Sequence, residues 1–234
     1  MEYFYTPSQQ IGSEHLTIEG EEFAHLTHVM RKVVGDDICV VDGAGNAYDA
    51  HIVGISRRSA RCQVSAHHPL LHEPRIDLTL GVGILKNNSR FDFLVEKTTE
   101  IGVRTIIPLL TGRTIPRHAR IDRWQKLALA AMKQCGRCQL PEIKPLTRLE
   151  DFLSSFPPGI PRYLMDENVN GPFLPQSITS DRVVMCVGPE GGFSPEESGL
   201  ATGNGFQLVS LGSRRLRTET AAIVASSIVL LPAH

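Results

Sequence analysis

An α/β fold with a mainly parallel sheet, preceded by a small β-rich domain, is what this 234-residue sequence predicts. Three observations predict it. Up to about residue 70, short apolar runs alternate with tight turns. From Arg75 onward, strand-like and helix-like segments alternate. Near the C-terminus, two strand–loop–helix units carry Gly-rich loops. Short strands with tight turns suit a small barrel, and alternating strands and helices suit a parallel sheet.

In the first part, Glu21 to Val33 is expected as a helix with Leu26, Val29, Met30 and Val33 on one face. Asp37 to Val41 and Ala47 to Ile55 are expected strands around the turn Asp42-Gly43-Ala44-Gly45-Asn46. Ser59 to Ala66 is a third strand, after Arg57-Arg58. The stretch from His67 to Pro74 contains two prolines that disfavour regular structure, and it reads as a linker. The expected division is residues 1–72 and 73–234.

In the second part, Ile76 to Leu85 and Thr105 to Leu110 read as strands. Arg90 to Ile101 is a helix stopped by Gly102. Asp122 to Cys135 is another, with Trp124, Leu127, Ala128 and Ala131 inward and Gly136 as its stop. Tyr163 to Met165 is a short strand that runs into Asp166-Glu167-Asn168.

The first Gly-rich loop, Gly188-Pro189-Glu190-Gly191-Gly192, follows the apolar run Val183 to Val187. It leads into Ser194-Pro195-Glu196-Glu197, which supplies an N-cap, a proline at the first helical position and a capping-box glutamate. Glycines let the backbone approach a ligand closely. Glu190 in the turn repels a polyphosphate, so the loop suits a neutral or cationic ligand. Neither Gly-x-x-x-x-Gly-Lys nor Gly-x-Gly-x-x-Gly is present; Gly81-Val82-Gly83 is a fragment within an apolar run.

The second loop begins at Leu211-Gly212, after Phe206 to Ser210. It crowds Arg214, Arg215 and Arg217 into four positions before a helix that starts near Thr218. Thr220 to Leu231 is apolar or small almost all round, as in a helix buried in a core or against a partner. On the residues alone, a ligand site and a solvated basic loop weigh about equally. Both loops are expected to follow adjacent strands and to line one pocket at the carboxyl ends of the sheet.

The hydrophobic fraction of 41% suffices for a sizeable core. A net charge of −1, with a pI near 6.8, is not the footprint of a nucleic-acid coat protein. Local basic patches remain: Arg57-Arg58 with Arg61; Arg113, Arg117, His118, Arg120 and Arg123; and Arg214 to Arg217. No signal-peptide pattern and no apolar run of membrane-spanning length occurs, so a cytoplasmic protein without a membrane partner is expected. Five cysteines suggest no disulfide framework. Cys135-Gly136-Arg137-Cys138 has no second paired motif and reads as a helix end, so no metal site is expected.

At these residues the chain resembles the RsmE family, which methylates N3 of a uridine in small-subunit (16S) ribosomal RNA. Gly188-Pro189-Glu190-Gly191-Gly192-Phe193-Ser194 and Leu211-Gly212-x-Arg214-x-Leu216-Arg217-Thr218-Glu219-Thr220-Ala221 carry the resemblance. His25-Leu26 through Val29-Met30-Arg31, the stretch Phe93 to Gly102, and Gln134-Cys135-Gly136-Arg137 with Pro141-Glu142-Ile143 extend it over nearly the whole chain. The resemblance implies a trefoil-knotted SPOUT methyltransferase domain after a PUA-like, RNA-binding barrel. It also implies S-adenosylmethionine as methyl donor, a homodimer, and ribosomal RNA in an assembled or assembling small subunit as substrate.

Carried over residue by residue, it makes Met165-Asp166-Glu167, Gly188 to Gly191 and Leu211 to Thr218 the three cofactor loops. Met165, Gly188, Pro189, Glu190, Gly191, Leu211, Gly212, Leu216 and Thr218 are then the cofactor-binding residues. His25, Arg31, Arg57, Arg58 and Arg214 are candidate RNA contacts. Uracil N3 is a poor nucleophile until its proton leaves, and departure puts negative charge on O2 and O4. Arg217 is the first candidate to stabilise that charge, and Glu190 or Glu219 to take the proton or orient the arginine. Glu219 also suits the first turn of a helix for electrostatic reasons alone. The chain departs from the family at Glu2, where an arginine is frequent, and at Ser213, Arg215 and Cys138-Gln139. Two other readings fit the scaffold: a noncatalytic RNA-binding or ribosome-assembly protein, and methylation of another RNA atom such as a ribose 2′-hydroxyl.

Overall fold

The computed structural model describes residues 3–169 and 171–231; Glu2 lies outside them. The chain forms two compact units. One comprises the chain up to Glu73 together with Leu129–Leu140; the other comprises Pro74–Ala128 and the chain from Pro141 onward.

In the first unit, β1 (Tyr3–Tyr5), β2 (His15–Glu19), β3 (Asp37–Val41), β4 (Asn46–Ile55) and β5 (Ser59–Pro69) form a sheet in the order β1-β3-β4-β5-β2. All its pairs are antiparallel except β1 with β3. Just beyond β1, the Thr6 hydroxyl donates to the Thr17 carbonyl of β2 at 2.9 Å, so the two ends of the sheet curl toward each other. Phe4, Leu16, Ile18, Leu26, Val40 and Ile52 fill its core.

The helix expected over 21–33 is shorter: α1 (Gly20–Ala24) passes into a π-turn, His25–Val29, and ends. Arg31 then adopts a left-handed φ of 53°, and Val29 and Val33 are exposed rather than packed. Of the expected face, Leu26 and Met30 pack on the core and Val29 and Val33 do not. The linker is also shorter than expected, because β5 runs on through His67 and His68 to Pro69, where a proline can end a strand. The strands β1 and β2 had no clear sequence signal.

The segment Leu129–Leu140 is tied into this unit by a buried ion pair. Arg137 Nη2 donates to Glu73 Oε2 at 2.7 Å, while Glu73 Oε1 accepts from the backbone N–H groups of Cys138 and Gln139. Gly136, at φ 77°, turns the chain out of the preceding helix.

The second unit is a parallel sheet. Its strands are β6 (Asp77–Gly83), β7 (Thr105–Leu110), β8 (Glu142–Ile143), β9 (Thr147–Arg148), β10 (Arg162–Met165), β11 (Arg182–Val187) and β12 (Gln207–Val209). The order is β12-β10-β11-β6-β7-β8, with β9 also on β7. The two strands that precede the Gly-rich loops are therefore not neighbours: β10 lies between them. Strand order is a tertiary property that local pattern does not encode.

The expected helices are present as α2 (Asn88–Ile101), α3 (Ile121–Cys135), α5 (Pro195–Gly203) and α6 (Thr218–Leu230), and α4 (Leu149–Ser154) is additional. Asn87 caps α2 by accepting from Ser89 N, and Gly102 ends it at φ 115°. Ser194, Pro195 and Glu197 form the full capping box on α5, worth about 1 kcal/mol. In α3, Trp124, Ala128 and Ala131 are buried and Leu127 half-buried; Phe91 stacks on Trp124, whose indole N–H donates to Asp92. Leu109, Phe152, Leu164, Val184, Phe193 and Phe206 make the core beneath the sheet. Among the described residues, no helix is long and apolar enough to cross a membrane.

Candidate active site

The sheet register builds the site. Met165, the last residue of β10, is level with Val187 of β11 on one side and Val209 of β12 on the other. The loops that follow these three residues consequently leave the sheet at one edge. They line a cavity of about 510 Å³ with Met165–Asn168, Val187–Glu190, Gly192, Phe193 and most of Ser210–Ala221. That volume is ordinary for a small-molecule site, and the position is the usual one in an open parallel sheet.

The loop after β11 is fixed from several sides. Gly192 N donates to the Pro189 carbonyl at 2.8 Å. Glu190 Oε1 accepts from Lys86 N at 3.1 Å, which holds its carboxylate beside the end of β6. A Cβ on Gly188 would meet the Gly192 backbone at 3.1 Å, so a larger residue there would open the turn. Gly212 stands at φ 116°, a conformation that residues with a side chain rarely adopt. Beneath the site Cys186 is a neutral core thiol, since burial raises its pKa far above the ordinary range.

Both signs of charge line the cavity. Asp166, Glu167 and Glu190 supply carboxylates; Arg90, Arg214, Arg215 and Arg217 supply guanidinium groups. Some of these charges are committed. Asp166 accepts from the Ser198 hydroxyl at 2.9 Å, and Glu167 pairs with Arg215 at 2.9 Å. Arg217 is exposed and occupies the N-cap position of α6 without a side-chain cap bond.

Of the cofactor residues expected from sequence, Met165, Gly188, Pro189, Glu190, Leu211, Gly212, Leu216 and Thr218 line this cavity. Gly191 does not; its carbonyl accepts from Arg113 Nη1. Arg214 and Arg217 line it, while Glu219 lies behind the lining, 8% exposed, on the first turn of α6. The remaining candidates belong to the N-terminal unit. His25 lies in the π-turn with its ring 5.9 Å from that of Phe4. Arg31 is exposed, as are Arg57 and Arg58 in the turn between β4 and β5. Among the described residues, no group of His, Cys, Asp or Glu has the geometry to hold a metal.

Sequence reasoning missed Arg90. It stands in the first turn of α2, where a cation works against the helix dipole and no acidic residue accompanies it. That misfit is the one signal the sequence offered.

Comparison with known proteins agrees with this geometry. Residues 72–230 match the family model described as RNA methyltransferase domain, and residues 18–65 match RNA methyltransferase PUA domain. Ribosomal RNA small subunit methyltransferase E of Synechocystis is 32% identical, over 93% of this chain and 73% of that protein. The protein of the same name from Aquifex aeolicus is 28% identical, over 98% and 99% of the two chains. A crystal structure of ribosomal RNA small subunit methyltransferase E from Neisseria gonorrhoeae, bound to S-adenosyl methionine, superposes with a TM-score of 0.88 at 31% identity, over 97% of this chain and 95% of that one. With two domain models covering the loops and the N-terminal sheet, and a relative of this identity along its length, the chain belongs to the ribosomal RNA small subunit methyltransferase E family.

Proposed function

We propose that the chain methylates N3 of a specific uridine in small-subunit (16S) ribosomal RNA, with S-adenosylmethionine as donor. The observation that carries the proposal is the meeting of three loops, after β10, β11 and β12, on one cavity lined by both Glu190 and Arg217. The cavity fits the donor: it has acidic groups for a sulfonium, and a glycine at position 212 where, apart from that residue and its chain neighbours, nothing lies within 4 Å of where a Cβ would stand. Met165, Gly188, Pro189, Leu211, Gly212, Leu216 and Thr218 would hold it, with Gly191 shaping the loop from behind. When bound, it supplies an electrophilic methyl group.

The chain's own residues then handle the acceptor. Glu190 takes the N3 proton, since its carboxylate is exposed beside the cavity. Arg217 stabilises the negative charge that develops on O2 and O4 as the proton leaves. The N3 lone pair freed in this way is the nucleophile; a bound donor would give up its methyl group to it and keep the electrons of the C–S bond on sulfur. Glu219 is a positioning group in this scheme. His25, Arg31, Arg57 and Arg58 contact the RNA from the N-terminal PUA-like unit, and Arg214 does so at the rim of the cavity. These contacts position the strand, and the target base enters unpaired.

The same reading extends to the trefoil knot, the division at residues 1–72 and 73–234, a homodimer and a cytoplasmic location. It is tested by incubating purified small subunits that lack the modification with the protein and labelled S-adenosylmethionine, then digesting the RNA to nucleosides. Label in 3-methyluridine supports the proposal. Label in a 2′-O-methyl nucleoside, or none at all, overturns it.

A further inference from the structure

Arg90 and Glu219 form an ion pair whose geometry is incomplete. Arg90 Nε stands 3.7 Å from Glu219 Oε1, too far for a hydrogen bond. Glu219 Oε2 is buried and has no hydrogen-bond partner among the described residues. The Glu219 side chain is only 10% exposed, whereas that of Arg90 is 35% exposed and lines the cavity. A carboxylate buried this far needs a cation, and α6 packs on α2, which brings Arg90 to it. The arginine in turn sits at a helix start that does not favour it. Its placement is explained by what it faces: Glu219 on one side and the cavity on the other.

We infer that Arg90 is a second catalytic cation that binds a carbonyl oxygen of the target uracil, and that Glu219 is the positioning residue that aims it. The inference rests on the reading of the cavity as a uridine-N3 site. N3 lies between the O2 and O4 carbonyls, and the charge left by its proton is shared by both. Two guanidinium groups, Arg90 from α2 and Arg217 from the loop before α6, supply one donor set for each. Guanidinium donates and never accepts, so this pair takes a base with a carbonyl on each side of N3. Cytosine presents an amino group at one of those positions and is rejected. The loose 3.7 Å contact tightens when the base draws Arg90 into line, as hydrogen bonds in ligand-free sites commonly do. The other charged groups around the cavity are Asp166, Glu167, Glu190, Arg214 and Arg215.

The test is the pH–rate profile of single-turnover methylation at saturating RNA and S-adenosylmethionine. Wild type, Arg90→Ala, Arg90→Lys, Glu219→Gln and the Arg90→Ala/Glu219→Gln pair are compared. The paired change removes the unmatched buried carboxylate, so it keeps the test open if Arg90→Ala folds poorly. Removing Arg90 should move the rising limb up by about one pH unit, a tenfold loss at neutral pH that alkali restores. Glu219→Gln should move it the same way by less, and should add nothing once Arg90 is gone. S-adenosylmethionine affinity should stay within about twofold. A rate lowered equally at every pH, or a limb that does not move, overturns the inference. If wild type itself yields no 3-methyluridine, it is the underlying reading of the site that fails.

Discussion

Arg113 Nη1 donates to the Gly191 carbonyl at 2.6 Å, so a side chain from the loop after β7 braces the Gly-rich loop after β11. A Cβ on Gly191 would press on Arg113 at 3.2 Å, whereas Gly212 needs its left-handed backbone and lines the cavity directly. Gly212→Val should therefore weaken S-adenosylmethionine binding more than Gly191→Val. Roughly tenfold or more is expected for Gly212→Val, from backbone strain of about 1–3 kcal/mol. Calorimetry distinguishes them. Tight ATP binding with no response to S-adenosylmethionine would contradict the assignment of the cavity.

In the proposed mechanism Arg217 stabilises the charge left on the base. Arg217→Ala should lower the single-turnover rate by roughly a hundredfold, the scale of losing one preorganised donor. Cofactor affinity and melting temperature should hardly change, because Arg217 is exposed and makes no cap bond. Arg57→Ala and Arg58→Ala should instead weaken RNA binding and flatten its salt dependence, as lost phosphate contacts do. Full activity of Arg217→Ala at saturating RNA would move the role to another residue.

The last helix should form a dimer interface. Ile223, Val224 and Ile228 are only half-buried within one chain, on an otherwise apolar helix. Sedimentation should report a dimer at micromolar concentration, and Val224→Glu with Ile228→Glu should shift it toward monomer. A wild-type monomer under those conditions would refute the interface.

The ion pair of Glu73 with Arg137 should dominate the stability of the N-terminal unit. Both side chains are nearly inaccessible, at 7% and 3%. Glu73→Ala takes the carboxylate away from a buried guanidinium and the acceptor away from the Cys138 and Gln139 N–H groups, and should cost about 3–5 kcal/mol. Denaturant unfolding measures it, and a loss below about 1 kcal/mol would rule out this role.

In the sheet of the N-terminal unit, Asp49 accepts from His68 at 2.8 Å and from the Cys39 thiol at 3.1 Å. The hydrogen bond from His68, then that from Cys39, holds the Asp49 carboxyl below its ordinary value of 3.8. A lowered folded-state value stabilises the fold above the unfolded-state value, and the contribution fades as pH falls through the folded one. Asp49→Asn should thus lower the melting temperature at neutral pH and converge with wild type in strong acid. Burial first, then the hydrogen bond to Asp49, pushes Cys39 up to about 11, so the native thiol should react slowly with alkylating reagents at pH 8. Equal acid sensitivity of the Asp49 variant and wild type throughout would argue against the network.

Local signals in the sequence were legible where the structure is local. The capping box at Ser194, the stops at Gly102 and Gly136, and the strand–loop–helix units at Gly188 and Gly212 are all set by residues within a few positions. The interposed β10 and the burial of Glu219 depend on residues far apart in the chain. In sequence, Glu219 suits the first turn of a helix for electrostatic reasons alone, and that pattern says nothing of its burial. The helix expected to reach Val33 misled for a related reason. Its apolar spacing continued past Arg31, where the backbone turns left-handed and the packing stops.

The central claim is methylation of one uridine at N3 in small-subunit ribosomal RNA. The most direct measurement is mass-spectrometric nucleoside analysis of that RNA from a strain lacking the gene, with and without the gene restored. The account predicts that 3-methyluridine disappears with the gene, returns with the wild-type chain, and does not return with Arg217→Ala. An unchanged 3-methyluridine content in the deletion strain would contradict it.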